Sequence, residues 1–84
     1  MAATFQIEIA TPEKLVAEKS VEYASIPGKD GYMGILPGHA PLLSELGSGE
    51  LSVTAGGKVE SFKISGGYVE VRDNVVRVLA DRVE

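Results

Sequence analysis

The 84-residue sequence predicts an all-β domain, an antiparallel two-sheet β-sandwich of about ten short strands. Three observations carry this. Val, Ile and Thr number 18 against 7 Leu, and β-branched side chains suit a pleated, half-buried surface better than a helix. Apolar residues alternate with polar ones at period two, and no segment repeats its apolar positions at helical spacing. Ten Gly and four Pro punctuate the chain, leaving none of the dozen-residue connections that a parallel crossover requires.

Along the chain, Thr4 to Ala10 places Phe5, Ile7 and Ile9 on one face and Gln6 and Glu8 on the other. Thr11-Pro12 ends that strand, because Pro12 has no N–H for a ladder. Lys14 to Val16 suits a short edge strand. Ser20 to Ile26 alternates again, with Val21 and Tyr23 predicted inward and Pro27-Gly28 as its end. Gly28 to Gly31 is a turn, and Tyr32 to Leu36 a short strand. Pro37-Gly38-His39-Ala40-Pro41 is irregular, since its prolines exclude a regular element.

An apolar segment resumes at Leu42 to Leu46, and Gly47 to Gly49 turns the chain. Leu51 and Val53 then alternate with Ser52 and Thr54. Gly56-Gly57 is a two-residue hairpin signal, and Lys58 to Ser65 returns with Phe62 and Ile64 on one face. After Gly66-Gly67 come Tyr68 to Arg72, a second tight hairpin at Asp73-Asn74, and Val75 to Ala80. The expected core is Phe5, Ile7, Ile9, Val21, Tyr23, Leu51, Val53, Phe62, Ile64, Val69, Val71, Val76 and Val78.

Length allows one domain, residues 1–84. The absence of cysteine removes disulfides and thiolate chemistry, so good packing or a partner subunit must supply stability. Eight Lys+Arg against twelve Asp+Glu give a net charge of −4, the wrong sign for general phosphate neutralisation or for docking on anionic lipid. No apolar run approaches the roughly 20 residues of a membrane span, so direct membrane insertion is not expected. Met1-Ala2-Ala3-Thr4 has neither the basic start nor the apolar core of a signal peptide.

No chemistry-bearing constellation emerges. Gly28-x-x-Gly31-x-x-Gly34 resembles a phosphate loop only superficially: no helix follows, and Gly28-Lys29 lacks the next Ser or Thr. His39 is the only histidine, and one histidine without cysteine is a poor start for zinc. Neither Ser44 nor Ser65 lies in a nucleophile elbow. The carboxylates Glu8, Glu18, Glu22, Glu45, Glu60 and Glu70 suit solvated strand faces. Catalytic, cofactor-binding and metal-binding residues are therefore not expected. The unusual feature is the loop from Gly34 to Leu43, irregular yet carrying Ile35, Leu36, Leu42 and Leu43. Such a loop either covers its own core or meets another protein.

That loop lies in Ile26-Pro27-Gly28-Lys29-Asp30-Gly31-Tyr32-Met33-Gly34-Ile35-Leu36-Pro37-Gly38-His39-Ala40-Pro41-Leu42-Leu43, which resembles the signature of the epsilon subunit of F-type ATP synthases. Ile64-Ser65-Gly66-Gly67-Tyr68-Val69-Glu70-Val71, Asp73-Asn74-Val75 and Val78-Leu79-Ala80-Asp81 extend the likeness, which covers about Phe5 to Asp81. The resemblance implies a ten-stranded β-sandwich and a non-catalytic subunit of the central stalk. It implies binding to the gamma subunit and the c-subunit ring, with rotation coupling proton transport to ATP synthesis. It also implies a peripheral place on the cytoplasmic face of the cell inner membrane, or on an equivalent organellar membrane.

By position within the resemblance, Asp30, Tyr32 and His39 are expected on the c-ring side, and Thr11, Leu42 and Ser44 on the gamma side. Tyr32 departs from the family pattern, where an acidic residue is common. The family's pair of C-terminal helices, the seat of inhibition and ATP sensing, has no counterpart among these residues. The expectation is thus assembly and coupling without that brake. The competing reading is a free-standing β-sandwich ligand-binding module. It would need an aromatic platform, and only Phe5, Tyr23, Tyr32, Phe62 and Tyr68 are aromatic.

Overall fold

The computed structural model describes residues 3–84 and, among them, is built of strands and connections alone. Eight strands follow in order: β1 (Phe5–Ala10), β2 (Leu15–Val21), β3 (Tyr23–Gly28), β4 (Gly31–Ile35), β5 (Leu42–Glu45), β6 (Ser48–Ala55), β7 (Lys58–Arg72) and β8 (Val75–Val83). They join in one continuous ladder, β2-β1-β8-β7-β6-β3-β4, with β5 added to β7. The ladder folds into two layers because β7 serves both. Residues Ser48–Ala55 pair with Lys58–Ser65 of β7, whereas β5 pairs with Tyr68–Val71 farther along it.

Gly66 (φ 65) and Gly67 (φ 108) sit at the junction. Gly66 N–H donates to Gly47 O at 3.2 Å, and Leu46 N–H donates to Gly67 O at 2.9 Å. Ile64 is buried before this point, and Val69 and Val71 after it, so the inward positions change parity across the two glycines. The two segments expected around Gly66-Gly67 are therefore one 15-residue strand, which helps bring the strand count to eight. The hairpins expected at Gly56-Gly57 and Asp73-Asn74 both form, each with two residues in the left-handed region. All pairings are antiparallel except one. β1 and β8 run parallel, Ile7 opposite Val76 and Ile9 opposite Val78. The connection between them is residues 11–74, far longer than a local crossover.

The core joins both layers. Phe5, Ile7, Ile9, Val21, Leu51, Val53, Ile64, Val69, Val71, Val76 and Val78 are buried as expected, and Phe62 packs against them half-buried. Tyr23 is a correction: it is 38% exposed. The alternation drawn through Ser20 to Ile26 is broken by a bend at Glu22, whose N–H donates to Thr54 O at 2.8 Å. The bend carries the chain from β2 in one layer to β3 in the other. Ala24 and Ile26 therefore turn inward and are buried. Pro27 does not end its strand: β3 continues to Gly28, with Pro27 opposite Tyr32. Lys19 of β2, the edge of one layer, forms an ion pair with Glu60 in the first part of β7, which pairs with β6 alone.

Candidate functional site

Two surfaces emerge where the sequence places partner contacts. The first is the β3–β4 hairpin. Asp30 is exposed in its turn, and Lys29 Nζ lies 3.0 Å from Glu45 Oε2. Lys29 N–H also donates to Glu45 O at 3.0 Å, so the turn is held against the end of β5. Tyr32, 61% exposed, accepts a hydrogen bond at its hydroxyl from Glu50 N–H at 3.1 Å. Its ring end fits over Gly49, where an added Cβ would stand 2.4 Å from the Tyr32 hydroxyl. Tyr32 is thus laid along the outside of the sheet and is no part of the core.

The second surface is the segment Leu36–Pro41 and the edge strand β5 that follows it. His39 is half-buried; its N–H donates to Leu36 O at 3.2 Å, and its Nδ1 lies 2.7 Å from Ala40 O. Gly38 N–H donates to Asn74 Oδ1 at 2.9 Å, tying the segment to the β7–β8 hairpin. In β5, Leu42 and Ser44 stand opposite buried Val71 and Val69 and share their inward parity, each half-buried. Leu43 and Glu45 point the other way, and Leu43 is 71% exposed.

Asp30 and Tyr32 come together on one hairpin, but His39 does not join them. It follows the far end of β4, whose residues Gly31–Ile35 span roughly 13 Å at 3.3 Å per residue. Leu42 and Ser44 lie together on β5. Thr11 lies apart, in the turn after β1, where its Oγ1 accepts from Glu13 N–H and Lys14 N–H at 3.3 Å. Between β5 and β1 the ladder passes through β7 and β8, roughly 14 Å across at about 4.8 Å per strand.

Sequence reasoning set Leu43 in the unusual apolar segment but assigned it to neither partner. It also passed over the outward row that Tyr68, Leu79 and Leu15 form across β7, β8 and β2, each more than half exposed. The available signal was parity, since Tyr68 alternates against Val69 and Leu79 against Val78. Beside that row, Arg77 lies 3.6 Å from Glu8 and 3.9 Å from Glu70. Among the described residues, the buried set holds no polar or charged side chain, and no group of three or more His, Asp or Glu is placed to hold a metal ion. The surfaces offer shape, apolar contact and hydrogen bonding, with the solvent-exposed Lys29–Glu45 ion pair in the first.

Comparison with known proteins is consistent along the whole chain. Residues 4–84 match the family described as ATP synthase, Delta/Epsilon chain, beta-sandwich domain. An ATP synthase epsilon chain of Koribacter versatilis is 49% identical over 84 residues, all of this chain and 59% of that protein. One from Desulfitobacterium hafniense is 46% identical, with 64% of its length covered. The chain thus spans about 60% of the length of these relatives. Among solved structures, a chain of the Euglena gracilis mitochondrial ATP synthase, in its OSCP/F1/c-ring assembly, superposes with a TM-score of 0.91. It is 28% identical, and the match covers all of this chain and 54% of that one. A chain from the central stalk/c-ring of the Tetrahymena thermophila mitochondrial ATP synthase shares the fold at 19% identity, with a TM-score of 0.81 and coverage of 99% and 67%. A family match over nearly every described residue, on a fold reached independently from strand alternation, places this chain in the ATP synthase delta/epsilon-chain β-sandwich domain family.

Proposed function

We propose that the domain is a non-catalytic part of the rotor of a proton-translocating F-type ATP synthase, seated between the gamma subunit and the c-ring. The observation that carries this reading is the likeness of the whole of this chain to part of epsilon chains, joined to a close structural neighbour within an F1/c-ring assembly. The two exposed surfaces suit a body held between two partners. The β3–β4 hairpin, with Asp30 and Tyr32, meets the c-ring. The Leu36–Pro41 segment and β5 meet gamma, through Leu36 and Leu43, with Leu42 and Ser44 beneath them. His39 belongs with this second surface, because β4 separates it from Asp30. Thr11 lies beyond both, at the margin of the gamma side. The complex places the domain peripherally on the membrane that carries the c-ring.

In this role the domain transmits torque by remaining folded and attached; it makes and breaks no covalent bond. The test is reconstitution with a gamma–c-ring subcomplex. The chain should co-purify with it and restore ATP-driven proton pumping to epsilon-depleted enzyme. Failure to bind either gamma or the c-ring would overturn the assignment, and tight binding of a carbohydrate or peptide instead would favour a free-standing module.

A further inference from the structure

We propose that Asn74 is a positioning residue: its side chain latches the Leu36–Pro41 segment to the body of the domain and so sets the docking surface that this segment forms. The docking half of the proposal rests on the function proposed above.

The argument starts from the turn. Asp73 (φ 53) and Asn74 (φ 63) occupy the two central positions of the β7–β8 hairpin, both left-handed. Turn geometry alone favours glycine at the second of these positions. The β6–β7 hairpin follows that preference with Gly56-Gly57, where an added Cβ would meet nothing within 4 Å. At Asn74 the side chain has work that glycine cannot do. Its Oδ1 accepts from Gly38 N–H at 2.9 Å, and its Nδ2 donates to Thr4 O at 2.9 Å. These partners also fix which amide atom is which, since one is a donor and the other an acceptor. The Asn74 backbone O accepts from Gln6 N–H at 3.2 Å. One residue thus holds the start of β1, the β7–β8 turn and the middle of the apolar segment.

The segment has little else to hold it by hydrogen bonding. Among the described residues, its other hydrogen bonds are internal: His39 N–H to Leu36 O, and His39 Nδ1 with Ala40 O. Leu36 is 59% exposed, so its burial contributes little to anchorage. Releasing Gly38 would free a proline-flanked loop whose ordering must then be paid on docking.

The test compares Asn74→Gly and Asn74→Asp in the full chain. Glycine keeps the left-handed turn and removes both side-chain bonds. Aspartate keeps an acceptor for Gly38 and loses the donor to Thr4. Hydrogen exchange at Gly38 N–H should quicken about fivefold or more in Asn74→Gly, the factor expected for one hydrogen bond of about 1 kcal/mol. In Asn74→Asp it should stay near the native rate, and the β6–β7 ladder amides should be unchanged in both. Affinity for a gamma–c-ring subcomplex should fall about three- to tenfold in Asn74→Gly only. Native Gly38 exchange in Asn74→Gly, or equal quickening in both variants, would overturn the latch. A loosened loop with unchanged affinity would overturn its role in docking. If the native chain fails to bind the subcomplex, the functional assignment and the docking role fall together, while Gly38 exchange still decides the latch.

Discussion

Replacing Gly67 with alanine should damage the domain more than the same change at any other positive-φ glycine. Two costs combine. The residue sits at φ 108, and holding a side chain in such a region costs on the order of 1–3 kcal/mol. The added Cβ would also stand 2.0 Å from Leu79 O, 2.9 Å from Ala80 Cα and 3.0 Å from Leu79 C. Those are backbone atoms of β8, directly across the ladder from Gly67, and no rotamer moves them aside. Relief requires parting β7 from β8 locally, at about 0.5–1.5 kcal/mol for each hydrogen bond lost. With two such bonds lost, the sum is about 2–6 kcal/mol. A domain of 84 residues is held by about 4–13 kcal/mol in all, so much of its stability goes. Gly57→Ala is the control: φ is 77 and nothing lies within 4 Å, so only the conformational cost of about 1–2 kcal/mol applies. Urea unfolding followed by far-UV circular dichroism reads both, as midpoint shifts at constant slope. If Gly67→Ala loses no more than Gly57→Ala, then β7 and β8 are not as closely apposed at the fold junction as described.

Ile26→Ala should cost about 2–5 kcal/mol in the same assay, because the side chain is fully buried; a loss under 1 kcal/mol would return Ile26 to the surface and Tyr23 to the core. Tyr32→Ala removes an exposed ring and its bond to Glu50 N–H, so unfolding should shift by about 1 kcal/mol or less. Its affinity for an isolated c-ring should drop by about 1–3 kcal/mol, measured by titration calorimetry, and an unchanged affinity would remove Tyr32 from that interface. A double-mutant cycle on Lys19 and Glu60 should yield a coupling of about 1 kcal/mol or less that fades with added salt, since both side chains are at least a third exposed.

Much of the fold is visible in local alternation because the central strands bury one face. Phe5-Ile7-Ile9, Leu51-Val53 and Val69-Val71 needed no more than parity. The misplacement of Tyr23 has a definite physical origin. Glu22 is an ordinary polar residue, and nothing in its chemistry announces that the chain bends there to change layers. The cause is non-local, a hydrogen bond to Thr54 some thirty residues on. The parallel neighbours β1 and β8 are likewise invisible to short-range patterning. At the candidate site, motif position pointed to segments, and the structure shows which side chains within them face outward. Leu42 and Leu43 read alike in sequence, and only the register with Val71 and Glu70 separates the inward from the exposed one.

The adjacency of β1 and β8 also constrains how the chain acquires its structure. Within the domain, β1 lies between β2 and β8, so its second edge stays open until residues 75–83 are available. On the ribosome, the β1–β2 hairpin emerges early with Phe5, Ile7 and Ile9 uncovered, and an isolated hairpin of this kind is at best marginally stable. Closure must wait for the whole domain to clear the exit tunnel. Such long-range pairing slows folding towards the millisecond-to-second range. During that wait an exposed β1 edge is open to pairing with other chains. Nascent chains arrested before Val75 should therefore be sensitive to protease, and resistance should appear abruptly once β8 has emerged.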